Sequence, residues 1–297
     1  MTTENKEWDK ILSDAVQAIK KAEESAGFEI NPSHEELDLQ LFTKTCRKDL
    51  EWFKLCVRSI FSNLRYTSLE WVIVCDQGEK DEINKLMVGE SIQFIGHEKI
   101  RVIEIQELWG DCMHIQNGYF RQQWVKMNAH RAFPKGYILN WDSDTIALKQ
   151  FSATDFKHLG KPILYFTPFN DLMTGRDRTV HEGRRRFVCR IFEMKEVAFE
   201  WMRNMPIWSN AEILRVGAER PEWGRFRYAL ETNAEGISEF NIIGELTHQF
   251  FPDAYEFRNT QSGNWQFWTG PLDSSAITHQ AWSGGGISNE FRDKAQA

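Results

Sequence analysis

The sequence predicts an α/β fold in which helices flank a mainly parallel sheet. Short apolar runs alternate with amphipathic segments along the first half of the chain, in the order strand, helix, strand, helix, strand. This alternation is typical of βαβ units and therefore of parallel strands. Because such sheets bind ligands at the carboxyl ends of their strands, the residues that follow each strand are the first candidates for a functional site.

The elements follow from the apolar patterns and the turn residues between them. Strands are predicted over 39–43, 69–75, 100–105, 137–141 and 163–166. Helices are predicted from Asp49 to Phe61, over 79–88 and 117–133, near 187–203 and 208–216, and from Ser238 onward. The arginine-rich segment 176–190 is interpreted as a loop, and 217–227 as an irregular Gly/Pro/Trp stretch.

The domain organisation follows from a change of rhythm near residue 36. Residues 4–26 show apolar side chains at helical spacing, so 1–35 is predicted to be a helical extension. The segment 36–297 contains neither an internal repeat nor a low-complexity linker and is predicted to form a single domain.

Composition excludes several classes of protein. The 297 residues carry 36 basic and 43 acidic side chains, a net charge of −7, which argues against a dedicated nonspecific DNA binder. No apolar run is long enough for a membrane helix, and five cysteines without a C-x-x-C motif indicate neither a disulfide framework nor a zinc site. We therefore expect a cytoplasmic protein. The 13% aromatic share suits a core and also sugar or base stacking.

Asp142-Ser143-Asp144 is the only D-x-D sequence in the chain, and it follows the predicted strand 137–141. Two carboxylates at a strand end can converge on one hard divalent cation, whose other ligands would be diphosphate oxygens and water. Asp also favours turns, so an exposed turn is the alternative.

The helix that runs into this strand carries polar side chains on one face. Gln122, Lys126 and His130 are spaced by four residues, and Arg121 flanks them. Arg and Lys bind phosphate oxygens well, although a solvated helix face would show the same pattern.

These residues carry a resemblance to a known family. The segments 118–127 and 137–145 resemble the donor site of GT-A glycosyltransferases, and in particular a bacterial and viral group with the pattern Y-R-Q-Q-x-x-K … D-x-D-T. The opening 39–60 is similar to the first βα unit of that group, and 237–241 to its S-E-[YF] segment. The implied fold is a Rossmann-like GT-A domain with a donor half at about 36–150 and an acceptor half at about 151–297.

The resemblance implies a nucleotide-sugar donor, such as a UDP- or GDP-sugar, and a divalent metal, Mn²⁺ or Mg²⁺. Asp142 and Asp144 would hold the metal, and a late histidine, His279, would be a further ligand. Two further groups of residues would bind the donor: Thr43 and Asp76 at the nucleotide, and Arg121, Gln122 and Lys126 at the diphosphate or sugar.

Glu239 is the candidate general base for the acceptor hydroxyl, because it opens a helix in the matching segment. An acid in the first turn of a helix is also stabilised by the helix dipole without any chemistry, so both interpretations stay open.

The arginines Arg184, Arg185 and Arg186 are candidates for contacting an anionic acceptor, including DNA with a hydroxylated base. The acidic chain favours a saccharide or another small acceptor. A non-catalytic sugar-binding module on a degenerate GT-A fold is the remaining alternative. Walker A, G-x-G-x-x-G and H-E-x-x-H motifs are absent from the sequence, which argues against P-loop, dinucleotide and zincin enzymes.

Overall fold

The computed structural model describes most of the chain from residue 39 onward. The described ranges are 39–65, 69–91, 99–172, 178–202, 207–260, 277–280, 287–289 and 292–293. The predicted helix over 4–26, and with it the predicted extension 1–35, lies outside these residues.

Strands and helices alternate through the first half of the described chain. The strands are β1 Leu39–Lys44, β2 Leu69–Cys75, β3 Lys99–Glu104, β4 Tyr137–Asn140, β5 Thr145–Ala147, β6 Lys157–His158, β7 Lys161–Pro168, β8 Phe199–Glu200, β9 Ile207–Asn210, β10 Glu256–Asn259 and β11 Thr278–Gln280. The helices are α1 Leu50–Asn63, α2 Lys80–Ser91, α3 Ile105–Trp109, α4 Gly118–Met127, α5 Phe169–Leu172, α6 Arg178–Phe192, α7 Ala211–Ala218, α8 Pro221–Glu231 and α9 Glu239–Phe250.

The central sheet has five strands in the order β3-β2-β1-β4-β9. β1 pairs in parallel with both β2 and β4, β2 pairs in parallel with β3, and β9 is antiparallel to β4 at the edge. The predicted α/β class with a mainly parallel sheet is therefore confirmed. The carboxyl ends of β1, β2, β3 and β4 share one edge, so the residues after β4 lie beside those after β1.

The central strands β1 and β2 are buried on both faces, which explains why they are nearly continuous apolar runs. Every residue of β2 except Glu70 is buried, and β1 is buried except for Gln40. The predicted strands 39–43, 69–75 and 100–105 are each found within one residue of their predicted ends.

Two smaller sheets complete the described part. In one, β7 pairs in parallel with β10 and antiparallel with β6 and β8; in the other, β11 pairs antiparallel with β5. The pairing of β11 with β5 matters for the site, because β5 begins directly after the D-x-D sequence.

The second half corrects three predictions from the sequence. The predicted loop 176–190 is helical from Arg178, and the helix predicted near 187–203 ends at Phe192, after which Glu193 adopts a left-handed φ of 54°. The irregular stretch 217–227 contains the start of α8, whose first residue is Pro221. Arginine is a good helix former and proline is favoured at the first helical position, so both helices are locally consistent.

The aromatic residues mainly build the core. Five tryptophans are almost completely buried: Trp71, Trp109, Trp141, Trp201 and Trp208. The indole N–H of each donates to an acceptor inside the protein, for example Trp141 to the carbonyl of Thr145 at 2.9 Å. A buried indole is stable when this donor is satisfied, so these five tryptophans are part of the core.

Among the described helices, none has the length and apolar character needed to cross a bilayer.

Candidate active site

Three charged side chains from distant parts of the chain meet beyond the end of β4. Lys126 Nζ lies 2.5 Å from Asp142 Oδ1 and 3.0 Å from Glu239 Oε1. Lys126 comes from α4, Asp142 follows β4, and Glu239 is the first residue of α9. The trio carries two negative charges and one positive charge, all removed from bulk water.

Local structure fixes where Lys126 points. Asn117 caps the start of α4 by accepting the N–H of Tyr119, and Gln123, one turn before Met127, accepts the N–H of Glu239 at 3.0 Å. Ser238 caps α9 by accepting the N–H of Asn241. Together these bonds hold the start of α9 against α4.

Lys126 is almost completely buried, with 3% exposure. Burial acts to lower the pKa of its ammonium group, but the charges of Asp142 and Glu239 outweigh burial and raise the pKa above its ordinary value. The ammonium also lies 4.5 Å from the centre of the Phe240 ring, a cation–π contact. Lys126 therefore stays charged, and its charge serves two carboxylates of the same protein.

Gln280 connects the two aspartates of the D-x-D sequence. Its Nε2 donates to Asp142 Oδ2 at 2.9 Å and to Asp144 Oδ1 at 3.1 Å. The β5–β11 register places Gln280 opposite Thr145, next to Asp144. We name the four residues Lys126, Asp142, Glu239 and Gln280 the strand-end cluster; Asp144 adjoins it.

His279, the predicted third metal ligand, lies one residue before Gln280 and pairs with Ile146 across the strands. Directly opposite residues share a face of a sheet, and neighbours along a strand face opposite sides. Ile146 packs with Trp52 and Leu55 of α1. The structure thus brings Gln280, rather than His279, to the two aspartates.

Cys56 of α1 lies beneath the D-x-D loop and donates to the carbonyl oxygen of Asp142 at 3.8 Å. Burial, with smaller contributions from the charges of Asp144 and Asp142, raises the pKa of this thiol well above its usual value. Cys56 is therefore a neutral thiol that supports the loop.

The two residues predicted at the nucleotide differ in exposure. Thr43 is fully buried; its hydroxyl donates to the Trp141 carbonyl at 2.7 Å and accepts from the Trp71 indole at 3.0 Å, joining β1 to its neighbours. Asp76 follows β2 at the same sheet edge, pairs with Lys44 at 2.9 Å and keeps about a third of its side chain exposed. Of these two residues, Asp76 is therefore the one that presents a polar group to solvent.

The two other predicted donor residues of α4 are half-buried. Arg121 Nη1 donates weakly to the carbonyl of Ile115 at 3.4 Å, and its Nε is buried without a hydrogen-bond partner. Gln122 lies one helical turn before Lys126, on the same side of α4, and is half-buried. Neither residue contacts the strand-end cluster through a hydrogen bond between described atoms.

Tyr119 lies in the first turn of α4 and, among the described residues, influences the charges of the strand-end cluster. Burial of its hydroxyl and the charge of Glu239 raise the pKa of Tyr119 to about 12, while Lys126 and Arg184 act in the opposite direction. These influences place the hydroxyl near the cluster, yet the residue as a whole is 52% exposed. An exposed aromatic ring beside buried charges is a suitable surface for a sugar or base, and this signal exists only in three dimensions.

The predicted acceptor arginines occupy three directions around α6. Arg184 Nη1 pairs with Glu200 Oε1 at 2.8 Å, Arg185 pairs with Glu196 and donates to the carbonyl of Val197, and Arg186 is exposed. Successive residues of a helix are about 100° apart, so the three do not form one patch.

A second buried charged group surrounds Glu200 of β8. His181 Nδ1 lies 3.1 Å from Glu200 Oε1, the same oxygen that meets Arg184, and Glu200 is completely buried. Burial alone would raise the pKa of Glu200, but the hydrogen bond from His181 and the charge of Arg184 lower it below the usual value. We name His181, Arg184 and Glu200 the helix cluster.

Gly183 and Gly236 bring α6 close to the start of α9. Gly236 has a left-handed φ of 75°, and a Cβ there would collide with the carbonyl group of Gly183. Only glycine allows this approach without strain. The helix cluster and the Glu239 end of the strand-end cluster are therefore neighbours across a glycine contact.

Comparison with known proteins finds a family model that matches part of the chain and solved structures with a similar fold. A model described as a family of unknown function, DUF6492, matches residues 37–174. No curated protein matches the chain significantly in sequence.

The structural likeness extends over most of the chain. The apo structure of mouse xyloside xylosyltransferase 1 aligns with a TM-score of 0.51 and 10% identity, covering 85% of this chain and 100% of that one. The apo structure of WbbM, a bifunctional glycosyltransferase, aligns with a TM-score of 0.56 and 10% identity, covering 88% of this chain but 49% of that one. The chain thus spans about half the length of WbbM.

These likenesses concern the fold, which is that of GT-A glycosyltransferases. The expected fold is confirmed, and the strand-end cluster lies at the sheet edge where such α/β folds bind ligands.

Proposed function

We propose that this chain is a glycosyltransferase that uses a nucleotide-sugar donor and a divalent cation, Mn²⁺ or Mg²⁺. One observation carries the proposal: the two aspartates that follow β4 share a buried amide, while Lys126 joins one of them to the acid that opens α9. The GT-A fold supports the proposal by analogy alone, because one fold can host many different activities.

The chemistry of the acidic pair fits a hard cation. Asp142 Oδ2 and Asp144 Oδ1 face one common group, and carboxylate oxygens are the ligands that Mg²⁺ and Mn²⁺ prefer. Asp142 uses its other oxygen for Lys126, so the two contacts need not compete. When bound, the cation would neutralise the leaving diphosphate as a Lewis acid.

In this proposal Glu239 is the general base. Lys126 meets its Oε1, and we assign Oε2 to the proton of the acceptor hydroxyl. The acceptor oxygen then forms a bond to the anomeric carbon, the bond from that carbon to the diphosphate breaks, and the nucleoside diphosphate leaves with the electron pair. Lys126 orients both acids, and the Tyr119 ring offers a surface for a sugar or a base.

The proposed acceptor is a saccharide or another small hydroxyl compound. Arg184 and Arg185 already pair with glutamates of the same chain, which leaves Arg186 as the exposed member of the three. A surface that contacts several DNA phosphates would lose affinity steeply with salt, so we expect transfer to depend only weakly on ionic strength.

The test is release of nucleoside diphosphate from a panel of UDP- and GDP-sugars, with Mn²⁺ and with EDTA. We expect the wild-type protein to hydrolyse at least one donor with the metal. Asp144→Asn should lower the rate about a hundredfold or more, because the metal supplies several kcal/mol of charge stabilisation.

Asp253→Asn is the matched control, because Asp253 is exposed beyond the far end of α9. Glu239 is the first of the 12 residues of α9, and a helix of that length spans roughly 18 Å, so Asp253 lies beyond the opposite end of the helix. This variant should retain wild-type turnover. Failure of every donor to be bound or hydrolysed would favour the non-catalytic module, and full turnover in EDTA would remove the metal from the proposal.

A further inference from the structure

The acidic pair has two carboxylates, but a cation in a protein site usually needs further ligands. Among the described residues, no three His, Cys, Asp or Glu side chains are grouped so that they could hold a metal ion. Within the part of the chain that the structure describes, a third protein ligand would therefore be a side chain of another type or a backbone group. Gln280 is the side chain that touches both carboxylates.

The amide of Gln280 is anchored on one side only. Its Nε2 serves Asp142 and Asp144, whereas its Oε1 is buried and has no hydrogen-bond partner. The residue is 94% buried, being 6% exposed. An unpaired buried amide oxygen is costly, of the order of 1–3 kcal/mol, so its retention calls for an explanation.

The two ends of this amide suit two different neighbours. Facing the two carboxylate oxygens that it contacts, the NH₂ end is favourable and the oxygen would be repelled. Facing a cation held by the same carboxylates, the oxygen is favourable, because amide oxygens ligate Ca²⁺ and related hard cations. A half-turn about the terminal Cγ–Cδ bond exchanges the ends without moving the backbone of β11.

We propose that Gln280 is a ligand of the divalent cation at the acidic pair, through Oε1, and that its amide reverses when the cation binds. This inference deepens the proposed function, on which its biological meaning rests, and it replaces the predicted ligand His279. The face that His279 shares with Ile146 packs toward Trp52 and Leu55, so the strand register separates the two candidates.

The experiment measures Mn²⁺ affinity directly, from the loss of the free Mn²⁺ signal in electron paramagnetic resonance, without donor or turnover. Gln280→Met keeps the length of the side chain and removes both amide ends, so we expect affinity to fall about ten- to a hundredfold. Gln280→Glu keeps an oxygen at the same place and should hold Mn²⁺ at least as tightly as the wild-type protein. His279→Ala should change the affinity less than twofold.

Thermal unfolding keeps the test valid if a variant is less stable. Gln280→Glu places a third carboxylate beside two others, so it should unfold at a lower temperature in EDTA and recover with Mg²⁺. In the wild-type protein, Mg²⁺ should shift the side-chain ¹⁵N–¹H₂ resonances of Gln280, because the NH₂ group loses its two carboxylate acceptors.

Three outcomes would overturn the inference. Equal weakening by Gln280→Met and Gln280→Glu would make Gln280 only a hydrogen-bond donor, and weakening by His279→Ala alone would return the ligand role to His279. Absence of wild-type Mn²⁺ and Mg²⁺ binding would end it while leaving metal-independent transfer open. Conversely, the expected Mn²⁺ pattern without any donor hydrolysis would support Gln280 and contradict the proposed function.

Discussion

The strand-end cluster and the helix cluster both contain ion pairs and occupy neighbouring positions. They differ in how their side chains are enclosed and in where they lie in the fold. Each pairs buried carboxylates with a cation: the buried Lys126 with Asp142 and Glu239, and the partly buried Arg184 with Glu200. In the helix cluster, two side chains of one helix converge on one glutamate oxygen that has no exposed surface. In the strand-end cluster, the members come from four separate elements and meet at the carboxyl edge of the sheet.

This difference teaches that burial of charge does not by itself mark a site. A buried ion pair that is enclosed by its own helix and strand fixes their packing. The free-energy cost of removing its charges from water is offset only while every partner stays in place. A cluster at strand ends, with a carboxylate pair sharing one rotatable amide, can exchange that partner for a ligand. Variants of the two clusters distinguish a structural role of the helix cluster from a functional role of the strand-end cluster.

The largest effect is expected at the helix cluster, on stability. Glu200→Ala leaves Arg184, whose side chain is only 16% exposed, without its carboxylate. Breaking a buried pair typically costs about 3–5 kcal/mol, or about 10 °C in Tm for a domain of this size. Circular dichroism measures this loss. Donor hydrolysis per folded molecule, measured well below the transition, should stay near the wild-type value.

Glu196→Ala is the control for this change, because Glu196 pairs with the next arginine of α6 and is 72% exposed. An exposed pair contributes about 1 kcal/mol or less. Similar Tm values for the two variants would mean that the helix cluster is no more important for packing than a surface pair.

A smaller effect, on catalysis, is expected from Lys126→Met. If Lys126 orients Asp142 and Glu239, the loss of a charge-assisted bond of about 1.5–3 kcal/mol should lower kcat about ten- to a hundredfold and leave donor KM nearly unchanged. Lys126→Arg keeps the charge and should recover part of the activity.

The original sequence prediction, in which Lys126 binds the donor diphosphate, requires the opposite split. Donor KM would then rise with little change in kcat. Lys80→Met is the control, since Lys80 forms a single exposed pair with Glu107 and should affect neither constant.

The sheet could be predicted because its signal is local. Strands buried on both faces, such as β2, are apolar over nearly their whole length, and the polar residues around Asp76 and Asp142 end them. The helix α6 was predicted as a loop because its many arginines suggested a solvated segment. Its buried face is formed by Phe187, Val188 and Ile191, whose helical spacing is the signal that indicates a helix.

For the candidate site, the sequence indicated several of the residues but not the contacts between them. Lys126, Asp142 and Glu239 were all chosen, but nothing local shows that a lysine will be enclosed by acids 16 and 113 residues further along the chain. The contact of Gln280 with the two aspartates could not be predicted for a simpler reason: a shift of one residue in a strand reverses its faces, and the sequence does not fix the register of β11. The metal-ligand role that the resemblance implies for His279 stays a prediction.

The smallest expected effect is a difference in acid stability between two glutamates that contact α6 arginines. The pKa of Glu200 is lowered, so its charged form stabilises the folded state fully above the unfolded pKa near 4.5, and this contribution is lost as the pH falls through the folded value. Glu200→Gln should therefore reduce the free energy of unfolding at pH 7, and its difference from the wild-type protein should shrink below about pH 4.5.

Glu182 is the exposed control for this prediction. The hydrogen bond from Arg178 also lowers the pKa of Glu182, so its effect on stability has the same sign, but its partner is exposed. Its small effect should become weaker in 1 M NaCl, because salt screens exposed charges much more than buried ones, whereas the buried effect of Glu200 should persist. Urea unfolding of wild type, Glu200→Gln and Glu182→Gln between pH 3 and pH 7, at both salt concentrations, measures all four differences. Equal salt sensitivity of the two variants would show that the helix cluster behaves as a surface pair and would break the comparison.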